Sequence, residues 1–219
     1  MVAGFDRLND RTCFMRTQLD NKKLTFISAY APTLITSTKD PKQREDFYDD
    51  LNSFIEKEKT GTLLFIGGDF NAKTGTSNSI HPEVVGKFGK GLTNENGEHL
   101  IDMCASNKLL LTNTIFQHKM AHRTTWESPG IHENRRNPYR NQIDYVIVRQ
   151  QHKLLIKNSR SYSGTNTFTD HRLVKTEIIA KWHKLKKTNT RRYLAIDRLR
   201  DNELSKKYHD NVKVKIQQK

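Results

Sequence analysis

The pattern of apolar and polar positions divides the chain into short elements of two kinds. Residues 12–19 and 24–30 read as strands, and Asp20-Asn21-Lys22 between them suits a hairpin turn. Asp40-Pro41 then opens a helix, since aspartate is a good N-cap and proline a good first helical residue. Phe47, Tyr48, Leu51, Phe54 and Ile55 follow at helical spacing and predict its buried stripe. The apolar run 62–66 predicts a buried strand that stops at Gly67-Gly68. Residues 73–96, rich in glycine and asparagine, predict a loop.

Beyond that loop, residues 97–107 predict a helix with Leu100, Ile101 and Cys104 inward, and residues 109–115 a strand. A short strand is expected at Thr124-Thr125-Trp126, a long polar loop over 127–140, and further strands over 142–148 and 172–179. Interspersed strands and helices favour an α/β sandwich over an all-β barrel or a helical bundle. Residues 183–219 differ: they hold 12 Lys and Arg against four Asp and Glu, a net of +8. Tyr193, Ile196, Arg200, Leu204 and Tyr208 make a partial helical stripe there, so a basic linker or tail with one amphipathic helix is expected outside the core.

Composition narrows the class. The 219 residues suffice for one domain and a tail, and 34% hydrophobic residues suffice for one core. No run of 18 apolar residues predicts a membrane span, and residues 1–10 lack the apolar stretch of a signal peptide. The expected location is intracellular, the nucleus included. Cys13 and Cys104 lie apart without a C-x-x-C pair and read as small apolar side chains. His118 and His122, four apart, lack a partner cysteine or a zincin glutamate. The net charge of +14 points to a polyanion, nucleic acid before membrane, though a purely structural binder would carry the same charge.

Four motifs place polar residues against apolar strands: Ser28-Ala29-Tyr30-Ala31-Pro32, Gly67-Gly68-Asp69-Phe70-Asn71-Ala72, Asn141-Gln142-Ile143-Asp144-Tyr145 and Thr169-Asp170-His171-Arg172. Singly, each has a structural explanation as a turn or a cap. Together they suit phosphodiester hydrolysis, which needs a positioned water, a divalent ion and donors to the phosphate. Asp69, Asp144 and Asp170 supply carboxylates, Asn71 an amide, His171 a donor and Tyr30 a phenol. Hard oxygen ligands of this kind suit Mg²⁺.

With these stretches, Gly86-Lys87-Phe88-Gly89-Lys90-Gly91, Asn94-Glu95-Asn96-Gly97-Glu98, Leu111-Thr112-Asn113-Thr114-Ile115-Phe116, Thr125-Trp126 and Arg140-Asn141-Gln142-Ile143-Asp144-Tyr145, the sequence resembles the endonuclease/exonuclease/phosphatase superfamily. Within it, it is most similar to the endonuclease domains of non-LTR retrotransposons and to craniofacial development protein 2-like host proteins. The resemblance covers residues 7–182 and implies a four-layer α/β sandwich, two packed mixed sheets flanked by helices. It implies Mg²⁺ or Mn²⁺ as cofactor, DNA as partner, no membrane, and a reverse transcriptase domain in the full element. It gives Asp69 the attacking water, helped by Asn71. Asp144 would pair with His171, His171 would contact the scissile phosphate, and Tyr30 would bind phosphate or the leaving oxygen. Asp69 would hold metal, and Asp170 would help hold metal or the His171 backbone geometry. Trp126, Asn94 and Arg140 would contact the nucleic acid, a core role being equally open for Trp126.

The superfamily also carries an asparagine and a metal-binding glutamate on strands upstream of the tyrosine. Only 29 residues precede Tyr30 here; they contain Asp6, Asp10 and Asp20 and no glutamate, the first being Glu45. The reading is therefore of a domain incomplete at its N-terminus and weak or inactive as a nuclease. The alternative is a noncatalytic nucleic-acid-binding remnant. A superfamily member acting on inositol phosphates or sphingomyelin is a third reading, disfavoured by the charge.

Overall fold

The computed structural model describes residues 2–19, 21–76, 80–128, 138–164, 169–179 and 201–217. The chain divides into two compact units, Met1–Trp182 and His183–Lys219.

The first unit opens with β1 (Val2–Asn9), β2 (Thr12–Leu19) and β3 (Lys22–Tyr30), consecutive antiparallel neighbours. β1 is an addition to the sequence reading. Asp20, in the expected hairpin turn, lies outside the described residues. α1 (Leu34–Lys39) and α2 (Pro41–Lys57) then cross over to β4 (Leu63–Asp69), which runs parallel to β3. Asp40 sits at the start of α2 as expected, but its side chain makes no capping bond; it accepts instead from Gln43 Nε2.

α3 (Glu95–Ser106) is capped by Asn94, whose Oδ1 accepts from Gly97 N, and leads to β5 (Leu109–Leu111). The short β6 (Trp126–Glu127) and β7 (Arg140–Asn141) pair with each other. Residues 129–137 of the loop expected between them lie outside the described residues. β8 (Asp144–Arg149) completes a six-stranded mixed sheet of order β1-β2-β3-β4-β8-β5. β9 (Ile156–Tyr162), which the sequence reading missed, and β10 (Leu173–Ile178) form a separate antiparallel pair. The second unit contains α4 (Asn202–Gln217). Of the stripe expected in the tail, Leu204 and Tyr208 fall on α4, while Tyr193, Ile196 and Arg200 lie outside the described residues.

Alternate residues of the six-stranded sheet serve two interfaces, as a strand's period of two requires. Ile27, Ala29, Leu64, Ile66, Ile147, Leu109 and Leu111 pack with Phe47, Leu51, Phe54 and Ile55 of α2 and Leu100, Ile101 and Cys104 of α3. On the opposite face Phe65, Val148 and Leu110 pack with Ile156 of β9. Hydroxyls bridge the two sheets there: Thr112 Oγ1 lies 2.9 Å from Ser159 Oγ and donates to Val146 O, and Ser159 Oγ lies 2.7 Å from Thr176 Oγ1. The result is the α/β class that was expected, with helices outside packed sheets.

Several strand limits differ from the sequence reading: the strand expected at 124–126 is Trp126–Glu127 and that expected over 142–148 is Asp144–Arg149, and two further differences bear on the site. The run 109–115 leaves the sheet after Leu111 and becomes a 3₁₀ turn over Thr112–Thr114. Thr114 Oγ1 donates to Leu111 O and Asn113 Nδ2 to Asp144 O, so side chains replace the ladder. Conversely, β4 does not stop at Gly67-Gly68 but continues to Asp69. A Cβ on Gly68 would lie 1.8 Å from Ala29 O, so only glycine lets β4 approach β3 here. Gly67 has open space where its Cβ would be. Gly68→Ala should therefore destabilise the domain by at least about 3 kcal/mol in urea unfolding, with Gly67→Ala far milder. Equal midpoints for the two variants would overturn this reading of the β3–β4 contact.

Candidate active site

The β3–β4 and β4–β8 registers place Tyr30 opposite Asp69 and Asp69 opposite Asp144. Directly paired residues share a face, so the three form one row at one end of the sheet. His171 joins them from the turn before β10, held by a bridge to Trp126. Its Nδ1 lies 3.1 and 3.2 Å from the two Asp144 carboxylate oxygens, and its Nε2 lies 3.9 Å from Asp69 Oδ2. Asp69, Asp144 and His171 each offer one ligand atom, all within 4.8 Å of one another. The Asp69 and Asp144 side chains are 15% and 17% exposed, withdrawn from bulk water yet reachable.

Local hydrogen bonds explain why this segment folds so. Phe70 is fully buried and its N donates to Ile143 O, so Asp69 and Asn71 are fixed on either side of it. Asp69 Oδ1 accepts from Asn71 N at 2.8 Å. Asn71 adopts a left-handed conformation, φ 48°, which asparagine tolerates better than most residues. Its Nδ2 donates to Ala31 O, so this amide braces the turn that carries Asp69.

The other predicted residues separate into two groups. Tyr30 is 51% exposed at the end of the row, with the Arg11 guanidinium 5.6 Å from its ring centre. Asp170 was expected beside Asp69 as a metal ligand. It lies outside the ligand group found among the described residues and accepts from Trp126 Nε1 at 2.7 Å. Trp126 thus stands beside His171 at the rim. Arg140 Nη2 donates to Glu127 Oε1, on the hairpin that carries Trp126. Asn94 is turned to structure: its Oδ1 accepts from both Lys73 N and Gly97 N. His118 and His122 bond to Asn158 and Ser161 of β9, away from this group.

Sequence reasoning missed Asn113, whose Nδ2 holds Asp144 O, and Glu127, which binds Arg140 and Arg172. It missed Lys90, which donates to Thr124 Oγ1 and Arg140 O, and the role of Thr125 beneath Asp144. Asn113, Lys90 and Thr125 lie within the motif stretches, but Glu127 falls in the loop expected over 127–140, and no spacing marks any of the four.

A protein-family model described as endonuclease-reverse transcriptase matches residues 24–175, which include all four of these residues, the row and His171. The chain belongs to this family. It falls within the endonuclease/exonuclease/phosphatase superfamily and resembles craniofacial development protein 2 of Bos taurus, to which it is 36% identical over 173 residues. That match takes in 79% of this chain and 27% of the relative, so the chain spans about a quarter of that protein's length. Two solved structures share the fold. One is a 3′ phosphatase from Neisseria, NExo, bound to product DNA hairpin (TM-score 0.57, 16% identity, 82% of this chain and 72% of that one). The other is the endonuclease domain of TRAS1, a telomere-specific non-LTR retrotransposon (TM-score 0.55, 15% identity, 78% of this chain and 64% of that one).

Electrostatics at the family's site favour a cation. Burial pushes the Asp69 carboxyl up to about 6; the Asn71 N–H opposes this, and the neighbouring Asp144 adds to it. Burial also raises Asp144, against the stabilising contacts of Thr125 and His171. Two desolvated carboxyls beside an imidazole form a donor set that fits a divalent ion. The ion would be held by Asp69 with oxygen or nitrogen from Asp144 and His171.

The sign of the Asp69 shift gives a test. A carboxyl raised in the folded state binds its proton more tightly there, so its stabilising effect is complete below the unfolded value near 4 and is lost as pH rises through about 6. In chelator-treated protein at pH 8, Asp69→Asn should therefore be more stable than the parent by on the order of 1–2 kcal/mol. The advantage should vanish between pH 6 and 4. Denaturant unfolding across that range checks it, and a variant less stable at pH 8 would contradict it.

Proposed function

We propose that this site hydrolyses phosphodiester bonds in DNA with the help of a divalent ion. The observation that carries the proposal is His171, hydrogen-bonded through Nδ1 to Asp144 while Nε2 points toward Asp69. Asp144 accepts the Nδ1–H and so orients the ring, and in the protonated imidazole Nε2–H is left to donate to the phosphate. Asp69 orients the attacking water and takes its proton, and Asn71 holds the turn that aims Asp69. Tyr30, at the end of the row, contacts phosphate or the leaving oxygen. A bound ion would neutralise charge on the phosphate and lower the pKa of a coordinated water.

DNA as substrate is supported by the net charge of +14, by the DNA-bound Neisseria enzyme and by the retrotransposon endonuclease of the same fold. Trp126 and Arg140 stand at the rim, where a strand would pass. The family's description joins endonuclease to reverse transcriptase, which supports a retrotransposon origin and a polymerase partner that uses the nick. On this reading residues 1–182 are the nuclease, 183–219 a basic tail, and the working location the nucleus.

The whole chain should nick supercoiled plasmid weakly with Mn²⁺ or Mg²⁺. Asp69→Asn and His171→Ala should each lower the rate at least about a hundredfold. Nicking that survives both substitutions would refute the assignment. The net charge favours a second reading, binding without cleavage, and retained DNA affinity with no nicking under either ion would establish it. In both cases the tail neutralises backbone phosphates. Removing 183–219 should flatten the slope of log affinity against log salt by about 0.9 for each phosphate the tail neutralises. An unchanged slope would show the tail takes no part.

A further inference from the structure

Thr125 is fully buried beneath the site, between β6 and the start of β8. Its Oγ1 accepts from Ile143 N at 3.0 Å and from Asp144 N at 3.1 Å. A hydroxyl has two lone pairs and one hydrogen. With both lone pairs taken, the remaining O–H favours the charged form of the neighbouring Asp144 carboxyl. The Thr125 main chain reaches the other half of the pair: its carbonyl accepts from Arg172 N at 2.7 Å, next to His171, and its N donates to Asn141 O. The adjoining residues continue this hold, with Trp126 bridged to His171 and Glu127 N donating to Asp170 O.

We infer that Thr125 is the positioning residue of the Asp144–His171 pair, setting Asp144 through its hydroxyl and His171 through its carbonyl. The inference rests on the hydrolytic reading above and adds a residue that carries no charge and touches no substrate. The hydroxyl selects which Asp144 geometry is presented to Nδ1. A buried hydroxyl that accepts from two main-chain N–H groups, one of them that of Asp144, has no freedom to turn away, so Asp144 and the imidazole it supports are held with it. A valine here would keep the shape and the main-chain bonds. It would release the carboxylate and leave the N–H groups of Ile143 and Asp144 without an acceptor. A serine would keep the hydroxyl.

The test compares Thr125→Val with Thr125→Ser in the whole chain. The first readout is the downfield proton resonance of the His171 imidazole, assigned by its loss in His171→Gln; the second is steady-state nicking. Thr125→Val should lose the resonance and lower kcat about ten- to a hundredfold with KM within about twofold, the range usual for groups that orient a ligand or base. Thr125→Ser should restore both. A Thr125→Val protein that keeps the resonance and kcat overturns the inference, as does a Thr125→Ser protein impaired to the same degree as valine. A Thr125→Val protein that does not fold, judged by its thermal melt, assigns Thr125 to the fold alone and also overturns it. If the parent chain does not nick DNA, the hydrolytic reading fails, and the resonance alone decides the role of Thr125.

Discussion

The close approach of β4 to β3 at Gly68 governs where the chemistry can be assembled. The ladder from Tyr30 to Asp69 to Asp144 exists because two strands from distant parts of the sequence pair with β4 at the same level. A side chain on Gly68 would drive β4 off Ala29 O, immediately before Asp69. The row would then lose its spacing before any of its polar groups was altered. A parallel pairing needs a crossover, and α1 and α2 supply it; the apolar stripe of α2 is thus as much a condition for the site as the carboxylates are. Phe70, sealed in the core between Asp69 and Asn71, ties the same turn to the packing beneath it.

That rigid floor is what allows two carboxylates to be kept out of water. Desolvation disfavours charge on both, and each faces the other. The opposing contacts are all fixed dipoles or a neighbour of opposite charge: the Asn71 N–H, the Thr125 hydroxyl and the His171 ring. None of these is long or free to move, unlike a lysine that could swing in and neutralise the pair. The protein therefore holds a concentrated negative pair in place, at an expense to stability that a more complete neutralisation would remove.

The sequence revealed those parts of this arrangement that obey a local rule. The α2 stripe, the α3 core residues and the apolar run of β4 follow periodicity, which depends on near neighbours alone. Asp69, Asp144 and His171 were picked out only as members of an ordered set of motifs, since each motif singly has a structural explanation. Three features were not visible. β5 ends early because Thr112, Asn113 and Thr114 direct their side chains at carbonyls of Leu111, Asp144 and Val146, partners that exist only after folding. β1 and β9 have no alternation strong enough to mark them, since one lies at a sheet edge and the other belongs to a pair of strands. Asp170 resembled a ligand from its place beside His171, but a side chain's direction is set by the strand that crosses it. Here that is β6, which offers it the Trp126 indole.

The charge distribution supports the proposed ion at this site. A net of +14 draws a polyanion toward the protein as a whole. At close range the sign reverses, because a phosphate arriving at the row meets Asp69 and Asp144. The rim does not settle the conflict, since Glu127 lies between Arg140 and Arg172 and engages both guanidinium groups. Arg11 is stacked by Tyr30 at the end of the row rather than beside the carboxylates. His171 can offer one donor, and its own positive charge would be held by Asp144. On the proposed reading, a compact positive charge is needed between the carboxylates and the phosphate. A divalent cation supplies that charge in a volume no side chain could occupy, and it binds the carboxylates more strongly the less water they keep. On the proposed reading, long-range attraction by the basic chain and short-range acceptance through an ion are two parts of one device.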